Sequence, residues 1–207
     1  MKHLILILAT VLPLILADSN SGEDMEYYCP SDWSLVNRAM GKWCIQVFAG
    51  VVNVFEAQER CVAHGAVLTG VENDDERALI HSKGLPIIRH AHVDEGCVWI
   101  GLRRRARCSG RDRENSTGCV PWVPNAFEWT DHFTSGTSMM QFRPGNPDND
   151  GHNSDHVYMH IIDREMGEVG AFPGSLDDIN GHVSTSSQRL QYVRGYACGK
   201  RARLSDI

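Results

Sequence analysis

Seven cysteines are spread along this 207-residue chain, and they constrain its fold more than any other feature. What they can do depends on compartment, and the N-terminus speaks to that. Lys2 and His3 precede an apolar run over residues 4–16, and Leu16-Ala17 offers a small-residue cleavage site before Asp18. This arrangement predicts a signal peptide over residues 1–17. The run is shorter than the ~20 residues a spanning helix needs, and no later segment is long or apolar enough to span. The expectation is a secreted, extracellular protein with no membrane span. In an oxidising compartment cysteines pair by default, and an odd number leaves at least one over. Sequence alone does not fix the connectivity.

Residues 18–28 are small, polar and acidic, and read as a flexible lead-in. From there to Gly199 the pattern is globular, and residues 200–207 read as a polar, frayed tail. A helix is expected from Asn53, a good N-cap with Glu56 three residues on. It carries Ala57 and Cys61 on one face and ends at His64-Gly65. A second is expected from Asn73, with Glu76 at the third helical position and acidic Asp74 and Asp75 in the first turn, ending at Lys83-Gly84. Strands follow at residues 98–102, 127–130, 157–162 and 192–198, separated by long segments rich in Gly, Pro, Asn and Asp. Structureless stretches of that length in a compact domain are usually functional. Helices early, strands late and large ordered loops predict an α+β domain.

Six motifs in order carry a family resemblance. Cys29-Pro30 with Trp33, then Trp43-Cys44, is followed by Glu56-Ala57 with Cys61 and Gly65-Ala66-Val67-Leu68. Trp99-Ile100-Gly101-Leu102 comes next, then Phe127-Glu128-Trp129-Thr130-Asp131. Pro144-Gly145-Asn146-Pro147-Asp148-Asn149 and Tyr196-Ala197-Cys198-Gly199 complete the series. Residues 29–199 resemble a long-form C-type lectin-like domain: two helices, antiparallel sheets and a long ordered loop region, stabilised by disulfides. The resemblance implies bridges Cys29–Cys44 and Cys61–Cys198, with Cys108–Cys119 as the local pair. The second of these closes a loop worth about 5 kcal/mol in the chain-entropy model. Cys97 is then either a buried thiol or the link of a homodimer. The family's further bridge in the long-loop half is missing, its two places holding His156 and Gly181.

The same resemblance implies a site. In the family a calcium ion, held by carboxylates and amides, also binds the sugar, and calcium takes six to eight oxygen ligands. Asn146-Pro147-Asp148 occupies the ligand triplet, whose proline is typically cis. Asp177-Asp178 occupies the later ligand pair, and Ser154 stands where the family has glutamate. Asn146, Asp148, Ser154, Asp177 and Asp178 are thus the predicted Ca2+ ligands, and Asn146, Asp148, Asp177 and Asp178 the carbohydrate contacts. Amide-before-acid is the galactose-type order of the triplet. The leading expectation is calcium-dependent binding of extracellular glycans or glycoproteins. The alternative is a calcium-independent binder of protein or polyanion on the same fold.

Other features weigh less. Arg103, Arg104, Arg105, Arg107, Arg111 and Arg113 crowd one segment, read as a solvated basic loop with acidic glycan or lipid binding as the sharper option. His152, His156 and His160 have helical zinc spacing in a segment that reads as loop and strand. The five tryptophans read as core or sugar-stacking residues. Asn115-Ser116-Thr117 is a glycosylation sequon. The net charge of −6 argues against a nucleic-acid partner. No nucleophile, base and orienter form a recognised set, so no enzyme activity and no catalytic residue are expected.

Overall fold

A computed structural model describes residues 26–164, 170–182 and 192–205. The apolar run at residues 4–16, its cleavage site and the lead-in up to residue 25 lie outside them. Among the described residues, ten strands and two long helices build the fold. In order they are β1 (Tyr27–Tyr28), β2 (Ser34–Arg38), β3 (Gly41–Ala49), α1 (Val54–Ala63), β4 (Val67–Leu68) and α2 (Asp74–His90). Then come β5 (Glu95–Arg104), β6 (Phe127–Trp129), β7 (His156–Ile162), β8 (Leu176–Ile179), β9 (Val193–Arg201) and β10 (Arg203–Leu204). The principal sheet runs β2-β3-β9-β5-β7-β8, with β4 joined to β9 and β6 to β5. Among the described strands, β5 and β9 pair in parallel and the other strand pairs are antiparallel.

The sheet is covered on both faces, which is why β5 reads as a continuous apolar run. Val98, Ile100 and Leu102 face a core that includes Ile80 and Ile88 of α2, Phe127, Met159 and Ile161. Trp99 points to the other core, with Ala57 and Cys61 of α1, Leu68 and Tyr196. Its indole N–H donates to the Val52 carbonyl at 2.8 Å, so the ring is a satisfied core residue. Three disulfides staple this frame: Cys29–Cys44, Cys61–Cys198 and Cys108–Cys119, each with Cα atoms 5.5–5.6 Å apart.

The start of α1 is the one its sequence dictates. Asn53 accepts from the Phe55 and Glu56 amides, and the Glu56 carboxylate accepts from the Asn53 amide. The end of α2 differs from expectation: the helix does not stop at Lys83-Gly84 but runs through Pro86 to His90. Gly84 is there for close approach. A Cβ on it would lie 2.8 Å from Ile161 side-chain carbons, so glycine lets α2 settle on β7. Tertiary packing thus outweighs the local cost of Gly and Pro. Glu76 holds the expected third helical position, its amide donating to Asn73 Oδ1 at 3.0 Å. It is buried, and its carboxylate accepts from Arg38 Nε at 2.9 Å and Nη2 at 2.8 Å.

Two boundary expectations change as well. Tyr27–Tyr28 belongs to β1 rather than to the lead-in, and it pairs with β10 inside the predicted frayed tail. Backbone hydrogen bonds from Ala202 to Lys42 and from Ser205 to Glu26 tie that tail down. The homodimer through Cys97 is overturned by burial. Cys97 is 1% exposed in β5 between β7 and β9, where no second chain can reach its sulfur. Burial, with Glu95 and Asp177 nearby, pushes the thiol up and keeps it protonated and inert.

His156 and Gly181, which stand where the family has a bridge, touch each other. A Cβ on Gly181 would lie 2.4 Å from His156 Nδ1 and 2.7 Å from Val54 Cγ1, so the imidazole fills the space a side chain would take. Gly181→Ala is expected to destabilise by about 1–3 kcal/mol through overpacking. In a His156→Ala background the same change should cost at least about 1 kcal/mol less, since contacting residues couple. Urea unfolding of the four proteins measures the cycle, and equal costs in both backgrounds would refute the contact.

Candidate functional site

The long loop between β6 and β8 brings the predicted triplet and the later pair together. Asn146-Pro147 is cis, the isomer the resemblance implied. Asp177 and Asp178 lie on β8 opposite Tyr158 and Val157 of β7, and successive strand residues point to opposite faces. Both are buried, and the surroundings of each carboxylate decide what the site can hold.

Asp178 is clasped from three directions. Its Oδ2 accepts from Arg104 Nη2 at 2.9 Å and from the Asn149 amide at 2.9 Å, while Oδ1 accepts from the Asp148 amide at 2.9 Å. Arg104 is itself buried: its Nε reaches the Ser154 carbonyl at 3.3 Å, and its guanidinium lies 4.7 Å from the Phe127 ring and 5.3 Å from that of Trp122. Burial pushes the Asp178 carboxyl up to about 6, against the pull of these backbone amides and of Arg104.

Asp177 has its own cation. Its Oδ2 accepts from Arg143 Nε at 2.8 Å and from the Tyr158 hydroxyl at 3.1 Å. The Asn146 amide completes the arrangement. Its nitrogen donates to Asp177 Oδ1 at 2.7 Å and Asp178 Oδ1 at 3.2 Å, and its oxygen faces Arg143 at 3.1–3.2 Å. Arg143 is raised above its ordinary value by Asp177 despite its own burial.

The remaining predicted ligands do not join these two carboxylates. Asp148 is exposed, and its Oδ1 accepts from the Asp150 amide at 2.9 Å in a local turn. Ser154 is buried with its hydroxyl on the Asp150 carbonyl at 3.1 Å and its amide on Asn149 Oδ1 at 3.2 Å. All four oxygens of Asp177 and Asp178 already accept from a donor, and two guanidinium groups supply their countercharge. A calcium ion needs several free oxygens with negative charge to spare, so this donor set does not fit one. Among the described residues, no group of three or more His, Cys, Asp or Glu side chains is placed to hold a metal.

The sequence alone missed Arg104 and Arg143 as site residues. Arg104 was one of six crowded arginines, and that crowd divides. Arg103 and Arg105 share Glu128 at 3.2 and 2.8 Å, Arg104 is buried, and Arg107, Arg111 and Arg113 are exposed. His156 and His160 sit on β7 and His152 in the preceding turn, so the three do not share a helical face. His152 Nδ1 lies 3.0 Å from Glu114, and His160 Nδ1 lies 3.0 Å from Glu95. Asn115 is exposed in the loop closed by Cys108–Cys119.

Known proteins share this architecture. The calcium-independent type II antifreeze protein superposes with a TM-score of 0.52 at 20% identity, covering 87% of this chain and 99% of that one. The C-type lectin CEL-I from Cucumaria echinata gives 0.53 at 21% identity, covering 86% and 97%. At such identities these likenesses show the fold alone. Layilin of Mus musculus is 32% identical over 84 residues, which are 41% of this chain and 19% of layilin, so the match spans about a fifth of that relative. The sequence model described as C-type lectin domain-containing protein 141/158 matches residues 31–201, and the chain belongs to that family of C-type lectin domain proteins.

Proposed function

We propose that this protein is a calcium-independent recognition domain that acts outside the cell and binds a glycan or glycoprotein ligand without turning it over. One observation carries the reading: Arg104 and Arg143 sit on the two carboxylates that the family would give to calcium, at 2.9 and 2.8 Å. A guanidinium bound in the plane of a carboxylate supplies the countercharge and uses the oxygens that the metal would need. The long loop is then held by covalently attached cations rather than by an exchangeable one. Three disulfides and the exposed sequon at Asn115 support action in an oxidising compartment. The fold also serves in an antifreeze protein described as calcium-independent. Of the predicted sugar contacts, exposed Asp148 and half-buried Asn146 remain at the loop surface, while Asp177 and Asp178 are interior supports.

Thermal melting with millimolar calcium and with chelator tests the reading, and the two melting temperatures are expected to agree within about 1 °C. A ligand selective for the native state adds about 2.7 kcal/mol at a hundredfold excess over Kd. For a chain of this size that is a rise of about 5–10 °C. Such a rise with calcium would restore the calcium-dependent alternative.

Removing the internal cation should expose the charge it covers. Arg104→Met leaves Asp178 buried and unpaired, which is expected to cost about 3–5 kcal/mol at pH 7.5. The loss should shrink at pH 5. A carboxyl raised above its unfolded value of about 3.9 keeps its proton in the folded state, so its contribution is present at low pH and is lost as pH rises through about 6. Without Arg104 that value rises further, and at pH 5 the variant holds a neutral acid. Denaturant unfolding at both pH values measures this, and equal losses would sink the assignment.

A further inference from the structure

A second concave surface lies at the other side of β9, away from β7 and β8. A groove of about 490 Å3 follows the end of β9 into β10, between the exit of α1 at Gly65–Val67 and the turn at His132-Phe133. Lys200, Arg201 and Arg203 line it. Among the described residues none of the three has a carboxylate partner, in a chain whose net charge is −6. The single acid in the lining, Asp131, is buried and already spoken for. It accepts from Arg38 at 3.0 Å and from Gly70, Phe133 and Thr134 at 2.7–3.1 Å.

Two of the three cations, Lys200 and Arg201, are positioned by aromatic rings instead. The Arg201 guanidinium lies 4.6 Å from the Phe133 ring, and Lys200 Nζ lies 4.3 Å from that of Trp33 while donating to the His64 carbonyl at 2.8 Å. A ring face orients a cation through its quadrupole and cancels no formal charge. The charge therefore stays available to an anion. Lys200 is lowered from its ordinary value chiefly by burial and further by the neighbouring Arg203. The Arg103–Arg113 segment is different, because Glu128 and Asp178 neutralise three of its arginines.

Arg201 and Arg203 are two residues apart in extended chain, about 7 Å, a spacing suited to repeated anionic groups along an extended polymer. The indole of Trp43 and the ring of Phe133, both in the groove wall, are buried against each other at 4.6 Å, so neither is open to a stacking nucleic-acid base. We propose that this groove is a binding site for a sulfated glycan chain, gripped by Arg201, Arg203 and Lys200. It is independent of the long loop and of whether that loop takes calcium.

Calorimetric titration of the full chain with a heparin-derived octasaccharide, in chelator and at two salt concentrations, tests the site. Wild type is expected to bind, more weakly at the higher salt. Arg201→Gln/Arg203→Gln should lose tenfold or more in affinity. Arg107→Gln/Arg111→Gln, which removes the same charge from exposed positions on the Cys108–Cys119 loop, should lose less than twofold. If the first double variant fails to fold, Arg203→Gln alone, exposed on β10, should still lose at least threefold. No binding by wild type, or equal losses from the two pairs, would overturn the site. Equal affinity for single-stranded DNA of the same charge would overturn the glycan assignment.

Discussion

Charge taken out of water must be answered from within the protein, and one buried guanidinium organises half of this domain on that account. Arg38, at the end of β2, has a fully buried side chain and lies between Glu76 of α2 at 2.8 Å and Asp131 beyond β6 at 3.0 Å. It also donates to Thr69, Thr134 and the Gly70 carbonyl, and lies 5.0 Å from the Trp43 ring. Residues 69–76 and 131–134, distant from β2 and from each other in sequence, converge on one side chain. Breaking such a pair leaves an uncompensated charge, typically a loss of about 3–5 kcal/mol. The N-terminal hairpin therefore cannot shift without unpairing α2 and the turn that walls the basic groove. Hydrogen bonds and backbone amides around Asp131 hold its carboxyl below the ordinary range despite burial, so the arrangement stays ionised at neutral pH.

The long loop obeys the same rule with different parts. On the proposed reading, Arg104 and Arg143 stand where the resemblance implied an exchangeable cation, and His156 lies against Gly181 where it implied a further disulfide. These substitutions are mutually consistent. Arg104 reaches Asp178 only because β5 continues past Leu102, while Asp178 draws the amides of residues 148 and 149 inward, fixing the turn beyond the cis proline. A fixed cation gives the loop a constant countercharge, whereas a calcium site would tie its order to calcium concentration.

How much of this was readable beforehand follows from the range of each interaction. The Asn53–Glu56 box and the β5 run were legible because they are local: a cap reaches three residues and a strand alternates every two. The three bridges followed from the order of motifs. The extent of α2 was not legible, because Gly84 and Pro86 are stop signals by local preference and only the contact with Ile161 outvotes them. Asp177 and Asp178 were read as ligands from their place in the chain, but the arginines that pair with them lie 34 and 74 residues away. Arg104 did carry a signal. It continues the alternation of Val98, Ile100 and Leu102, so strand parity points it into the core while Arg103 points out. Arg143, in an irregular loop, has no such pattern.

The choice of arginine over lysine at the buried positions follows from geometry. Arg104 uses its plane twice: the edge donates to Asp178 and the Ser154 carbonyl, and the faces meet Phe127 and Trp122. Arg38 does the same, with six acceptor oxygens from five residues around its edge and Trp43 against its face. An ammonium has three donors and no plane, so it would leave acceptors unpaired and the ring contact poorer. At the surface the same duality works in reverse. Phe133 takes the face of Arg201 and leaves its donor edge without an acidic partner among the described residues. Burial turns the guanidinium into a structural clamp; a ring on one side and water on the other leave it a binding group.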